Sequence, residues 1–145
     1  MNKAANMREK IIVFTDGGSR GNPGKAGVGV YITDENNQEI YRTHQYLGLK
    51  TNNEAEYLAL HLALKYLQSH LKPQTALVFK LDSKLVVEQM NKNWKIKEDR
   101  LRSLAEANWQ ILSALPCSTC EIKHIPRSEN AMADMLANQA MDAAA

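Results

Sequence analysis

Lys10-Ile11-Ile12-Val13-Phe14-Thr15-Asp16-Gly17-Gly18 decides how the chain is read, because an apolar run from Ile11 to Phe14 breaks at Asp-Gly-Gly. Large apolar residues ending in that way read as a buried strand emptying into a glycine-rich turn. Val28 to Thr33 is the next strand-like run. Asp34-Glu35-Asn36-Asn37 is a turn signal, and Ile40 to Leu47 alternates well enough to return as a third strand. The first third of the chain is thus expected to be an antiparallel meander.

From Asn53 the period changes, with Ala55, Leu58, Ala59, Leu62 and Tyr66 at helical spacing. The expected helix has about four turns, with Thr51 or Asn52 as its cap and Pro73 beyond its end. Ala76 to Leu81 is a fourth strand ending at Asp82, and Ser83 caps a short helix through Met90. Leu101, Leu104, Ala105, Asn108 and Leu112 mark another helix, and Cys120 to Ile125 a fifth strand before Pro126. A last helix is expected from about Ser128, with Met132, Leu136 and Gln139 or Ala140 on one face. The order predicts an α/β fold: a five-stranded mixed sheet, three antiparallel strands then two parallel ones, flanked by helices on both faces.

At 145 residues the chain reads as a single domain, 1–145, with loose ends at about 1–6 and 142–145. Its 44% hydrophobic content suffices for a core. Eighteen basic against sixteen acidic residues leave a net charge of +2, which excludes a polybasic protein and makes any basic surface local. No secretory segment or membrane-length apolar stretch is seen, so a cytoplasmic protein without membrane contact is expected. Cys117 and Cys120 are too few for a disulfide framework and have no second pair for zinc. They read as small residues where a loop enters a strand, and their pairing in an oxidising setting stays open.

Asp16 and Asp82 both fall where strands are expected to hand over to loops, the position that lines ligand crevices in α/β sheets. Glu56 lies in the first turns of the Asn53 helix and Asp134 early in the last one, so all four acids are placed to converge on one sheet edge. Carboxylates held together repel unless something positive neutralises them. Mg²⁺ takes oxygen ligands, and two such ions about 4 Å apart activate a water and stabilise a leaving oxygen in phosphodiester hydrolysis.

Four segments sharpen that reading: Phe14-Thr15-Asp16-Gly17-Gly18-Ser19-Arg20-Gly21-Asn22-Pro23-Gly24, Thr51-Asn52-Asn53-Glu54-Ala55-Glu56, Leu81-Asp82-Ser83 and Asn130-Ala131-Met132-Ala133-Asp134-Met135-Leu136-Ala137. In order, they resemble the active-site segments of ribonuclease H type 1, a likeness covering about Lys10 to Ala140. The resemblance implies hydrolysis of the RNA strand of RNA/DNA hybrids with two Mg²⁺ ions, or Mn²⁺ in their place, leaving 5′-phosphate and 3′-hydroxyl ends. It implies no organic cofactor, and a monomer is the default. Asp16 matches the acid bridging both ions, Asp134 the nucleophile-side ligand, and Glu56 and Asp82 the leaving-group-side ligands.

The likeness also places Gly17, Ser19 and Asn22 against the RNA strand, where 2′-hydroxyls separate RNA from DNA. Asn52 falls near RNA, Asn53 near DNA, and Thr51 matches a residue binding a DNA phosphate. Lys84 stands where many relatives carry Gln and would add a phosphate or sugar contact. Two departures matter. The long basic protrusion of many bacterial relatives is missing, and only Asn91-Lys92-Asn93-Trp94-Lys95-Ile96-Lys97 stands in its interval. Lys80 to Arg102 still holds seven basic and four acidic residues, so Trp94 either lines a smaller DNA-strand groove or packs under the helix. Weaker, more salt-sensitive hybrid binding is expected.

The second departure is the loop before Asp134, which lacks the glycines that accompany a product-releasing His in relatives. His124 has the usual spacing but falls in the fifth strand, and the Ile125-Pro126-Arg127 pattern favours Arg127 in that role. Glu129 reads as a helix-start acid or an auxiliary one. Rival readings are a hybrid-binding module that has lost a metal acid, although all four are present, and an integrase-like strand transferase. A domain cut from a reverse transcriptase is a further alternative.

Overall fold

The computed structural model describes residues 10–144. β1 (Lys10–Gly21), β2 (Gly24–Asp34) and β3 (Glu39–Lys50) form the meander, α1 (Asn52–His70) follows, then β4 (Ala76–Leu81), α2 (Lys84–Met90), α3 (Asp99–Ala114), β5 (Thr119–His124) and α4 (Ala131–Ala143). The five strands make one sheet in the order β3-β2-β1-β4-β5. β1 pairs antiparallel with β2 and parallel with β4, and β4 is parallel to β5. The expected mixed sheet is therefore present.

The largest departure is at Asp16. β1 does not stop there but continues to Gly21, held by β2 as far as Gly21↔Gly24, so the expected turn is strand and Asp16 lies inside it opposite Gly29. What ends beside Asp16 is the parallel ladder to β4, whose last pair is Thr15↔Leu81. The glycines serve close packing. A Cβ on Gly17 would lie 2.2 Å from the Ala55 carbonyl oxygen of α1, and one on Gly29 would lie 2.3 Å from that of Ala133 in α4. Since adjacent residues of a strand face opposite sides, these contacts put α1 and α4 on opposite faces.

Between sheet and α1 lies the main core, with Val13, Val30, Tyr57, Leu60, Leu64, Leu77 and Phe79 buried together. Thr51 caps α1 through a reciprocal box: its Oγ1 accepts the Glu54 N–H at 3.1 Å, while its own N–H donates to Glu54 Oε1 at 2.9 Å. The helix has 19 residues, about five turns rather than four. The last helix begins at Ala131, not Ser128, because Arg127–Glu129 forms a separate 3₁₀ turn after Pro126 and Asn130 adopts a non-helical φ of −118°. It extends to Ala143, so 142–143 belong to the helix, while the expected loose residues 1–6 lie outside the described ones. Ala140, rather than Gln139, is on its buried face. No helix among the described residues is long and apolar enough to cross a membrane.

Candidate active site

The open end of the β1–β4 ladder forms one wall of a cavity of about 420 Å³ lined by Asp16, Glu56, Asp82 and Asp134. Four local devices bring them there. Asp16 follows the last parallel pair of β1, and Asp82 directly follows β4, ahead of the Ser83 cap of α2. Glu56 sits one turn into α1 and is pinned by the Gly17 N–H, which donates to its Oε1 at 3.1 Å. Asp134 lies in the first turn of α4. Oxygens of Asp16, Glu56 and Asp82 all lie within 4.8 Å of one another. Asp134 stands beside this trio with its Oδ1 accepting from Arg127 Nη2 and Asn138 Nδ2, each at 3.4 Å.

Charge is expensive in this cluster. Burial, then the charges of Asp82 and Asp134, push Asp16 up to about 8. Glu56 is held well above the usual carboxylate range, first by burial and then by Asp16 and Asp82, against the stabilising Gly17 N–H. Such a group either keeps protons or takes up cationic charge. The donors are all hard oxygens and neither His nor Cys lines the cavity, a set that fits Mg²⁺ or Mn²⁺ better than a softer metal.

Of the residues that the resemblance sets against a hybrid, Gly17, Ser19 and Asn52 line the same cavity. Asn52 Oδ1 accepts from the Ser19 N–H at 2.9 Å and Ser19 Oγ at 3.1 Å, and the Asn52 N–H donates to Asn22 Oδ1 at 2.9 Å. Gly17 lies in the cavity wall, and half-buried Asn53 follows Asn52 in α1. The Thr51 hydroxyl is already engaged in the helix cap. Lys84 is exposed at the start of α2. Trp94 is 44% exposed, which disposes of its packing as core. It lines a separate cavity of about 270 Å³ with Lys95, Arg102 and Trp109. Trp109 is the tryptophan that packs on the core, its Nε1–H donating to the Met90 carbonyl at 2.9 Å. The interval 91–98 carries no helix.

Arg127 lines the acidic cavity, whereas His124 is the exposed last residue of β5 and does not. Exposed Glu129 lies in the 3₁₀ turn and lines another cleft with Phe14 and Tyr31. Cys117 and Cys120 are unbridged thiols. One residue went unremarked in the sequence except as part of a motif. Asn130 is buried and donates from Nδ2 to the Thr15 carbonyl at 2.9 Å and to Asp82 Oδ2 at 3.2 Å. Its place immediately before the last helix was the available signal, and that reads only as a cap.

Residues 14–140 match a family described as reverse transcriptase-like. The chain is 41% identical over 137 residues to the bifunctional protein Rv2228c of Mycobacterium tuberculosis, covering 94% of this chain but only 36% of that protein's length. It is 34% identical to a ribonuclease H of Ruthia magnifica, covering 92% of this chain and 96% of the relative. The solved structure of LC11-RNase H1 in complex with an RNA/DNA hybrid superposes with a TM-score of 0.86 at 40% identity, covering 92% of this chain and 98% of that one. Likeness of that extent, together with acids gathered where β1 and β4 part, places this chain in the ribonuclease H family, type 1.

Proposed function

We propose that the protein is an endonuclease that hydrolyses the RNA strand of RNA/DNA hybrids and leaves 5′-phosphate and 3′-hydroxyl ends. The observation that carries this reading is the trio of buried Asp16 and half-buried Glu56 and Asp82, with oxygens within 4.8 Å, in a chain that superposes on a hybrid-bound relative. Two divalent cations, when bound, supply the charge that activates water and stabilises the leaving oxygen. Asp16 would hold both, Asp134 the one on the nucleophile side, and Glu56 and Asp82 the other.

The remaining work belongs to the chain itself. Gly17 N–H fixes Glu56 against β1, beside Asp16. Asn52 and Ser19 hold the rim, and that rim is suited to the 2′-hydroxyls of an RNA strand. Asn53 and Thr51 are suited to the DNA strand and Lys84 to a phosphate or sugar, and Trp94 with its neighbouring cations offers a stacking and phosphate surface further out. Arg127 places a guanidinium on Asp134, where it is suited to help the cleaved strand depart.

A panel of RNA/DNA hybrid, DNA duplex and RNA duplex tests the reading. Cleavage of the hybrid alone, present with Mg²⁺ and absent with chelator, is expected. Equal cleavage of DNA duplex, or cleavage that survives chelation, contradicts it.

A further inference from the structure

Asn130 is only 1% exposed, yet its side-chain amide and backbone carbonyl together serve three segments of the site. Its backbone carbonyl accepts the Asp134 N–H at 3.0 Å and so starts the helix that carries Asp134. Its Nδ2 donates to the carbonyl of Thr15, the residue before Asp16, at 2.9 Å, and to Asp82 Oδ2 at 3.2 Å. Both partners are acceptors, so the amide has one tenable orientation: turned over, its oxygen would face two oxygens. In that orientation Asn130 Oδ1 is buried without a partner. Leaving an acceptor unsatisfied is unfavourable, so what the side chain contributes is its pair of N–H bonds.

Asp82 comes directly after β4, and its carboxylate must present an oxygen to the same point as Asp16 and Glu56. Like charges nearby push it away from that point. A donor on one of its oxygens opposes this displacement and fixes the plane of the group. Because the same nitrogen bonds β1, the position of Asp82 is referred to the strand bearing Asp16.

We propose that Asn130 is a positioning residue that orients the Asp82 carboxylate for a divalent cation and ties it to β1 and to the start of α4. This rests on the metal reading of the site given above. Asn130 acts through Asp82 and takes no part in the chemistry.

The test is calorimetric titration of the whole protein with Mg²⁺ alone, comparing wild type with Asn130→Ala and Asn130→Ser. Unfolding in chelator and binding of blunt hybrid in chelator are measured beside it. Asn130→Ala is expected to weaken Mg²⁺ binding by about tenfold or more. It should leave hybrid affinity in chelator and the KM for hybrid unchanged while lowering kcat, with part of kcat recovered at high Mg²⁺. Asn130→Ser, which keeps one short donor, should fall between, and it decides the matter if the alanine variant does not fold. A folded variant that binds Mg²⁺ within twofold of wild type overturns the positioning role alone. A wild-type protein that takes up no Mg²⁺ overturns the metal reading and this proposal with it, and that outcome is visible before any variant is made.

Discussion

Asp16 shows how much of the site rests on a single side chain. In the metal-free folded protein it keeps its proton up to about 8, against 3.8 in an unfolded chain. Between those values the unfolded state binds fewer protons than the folded one, so stability is full below the lower value and is lost as pH rises through the upper one. Glu56 shifts in the same direction and adds to the effect. The stability of chelated protein should therefore fall between pH 5 and pH 8 by up to about 1.4 kcal/mol per pH unit for each proton, and its melting temperature should fall with it. Asp16→Asn should flatten the slope, and saturating Mg²⁺ should raise the curve most at pH 8; scanning calorimetry reads both. A metal-free melting temperature that rises over that window contradicts the cluster's electrostatics.

Arg127 and His124 are separated at the same scale. The guanidinium reaches Asp134 Oδ1 at 3.4 Å, whereas His124 ends an exposed strand outside the cavity. Arg127→Ala is expected to lower kcat about tenfold, and His124→Ala to stay within about twofold, in steady-state cleavage of hybrid. The opposite ranking would return the role to His124. The sequence could not settle this, because spacing along a chain does not say which way the end of β5 faces.

Among the elements, the sequence was read well where hydrophobic period carried the signal and poorly where glycine did. Ile11 to Phe14 and Ala76 to Leu81 are legible as continuous apolar runs, as befits interior strands, and the Asn53 helix is legible because one of its faces is buried. Asp16-Gly17-Gly18 reads as a turn, since glycine marks turns far more often than a strand pressed against a helix, yet the turn lies further on, at Asn22 and Pro23. Gly17→Ala and Gly29→Ala test the structural reading directly. Each added Cβ would collide with a helix carbonyl, at 2.2 Å and 2.3 Å respectively, so a loss of about 3 kcal/mol or more is expected in urea unfolding. A change near zero would mean that the strand and helices are not so close.

The cap of α1 was half legible. Thr51 was named, but the partnership with Glu54, which Arg100 of α3 approaches at 3.6 Å, was not. Thr51→Ala should cost about 1 kcal/mol of stability, again by urea unfolding, independently of any contact with a DNA phosphate. A loss of hybrid affinity larger than that stability change accounts for would show that the hydroxyl serves both.

For the whole molecule, the topology explains why acids so far apart in the chain meet. β1 and β4 are parallel neighbours, so Asp16, just past the end of their shared ladder, and Asp82, just past β4, lie side by side, and α1 and α4 deliver Glu56 and Asp134 from opposite faces. The four acids were legible in the sequence because each stands in a recognisable segment. Asn130 was not, since its two bonds depend on how β1, β4 and α4 close on one another.

Whether this cluster cuts RNA in hybrids is read by cleavage of a strand-labelled RNA/DNA hybrid in Mg²⁺ by wild type and Asp16→Asn. Cutting confined to the RNA strand is expected, with a loss of at least about a hundredfold in the folded variant. Cutting of the hybrid by Asp16→Asn at the wild-type rate, or binding without cutting by wild type, would contradict that role for the cluster.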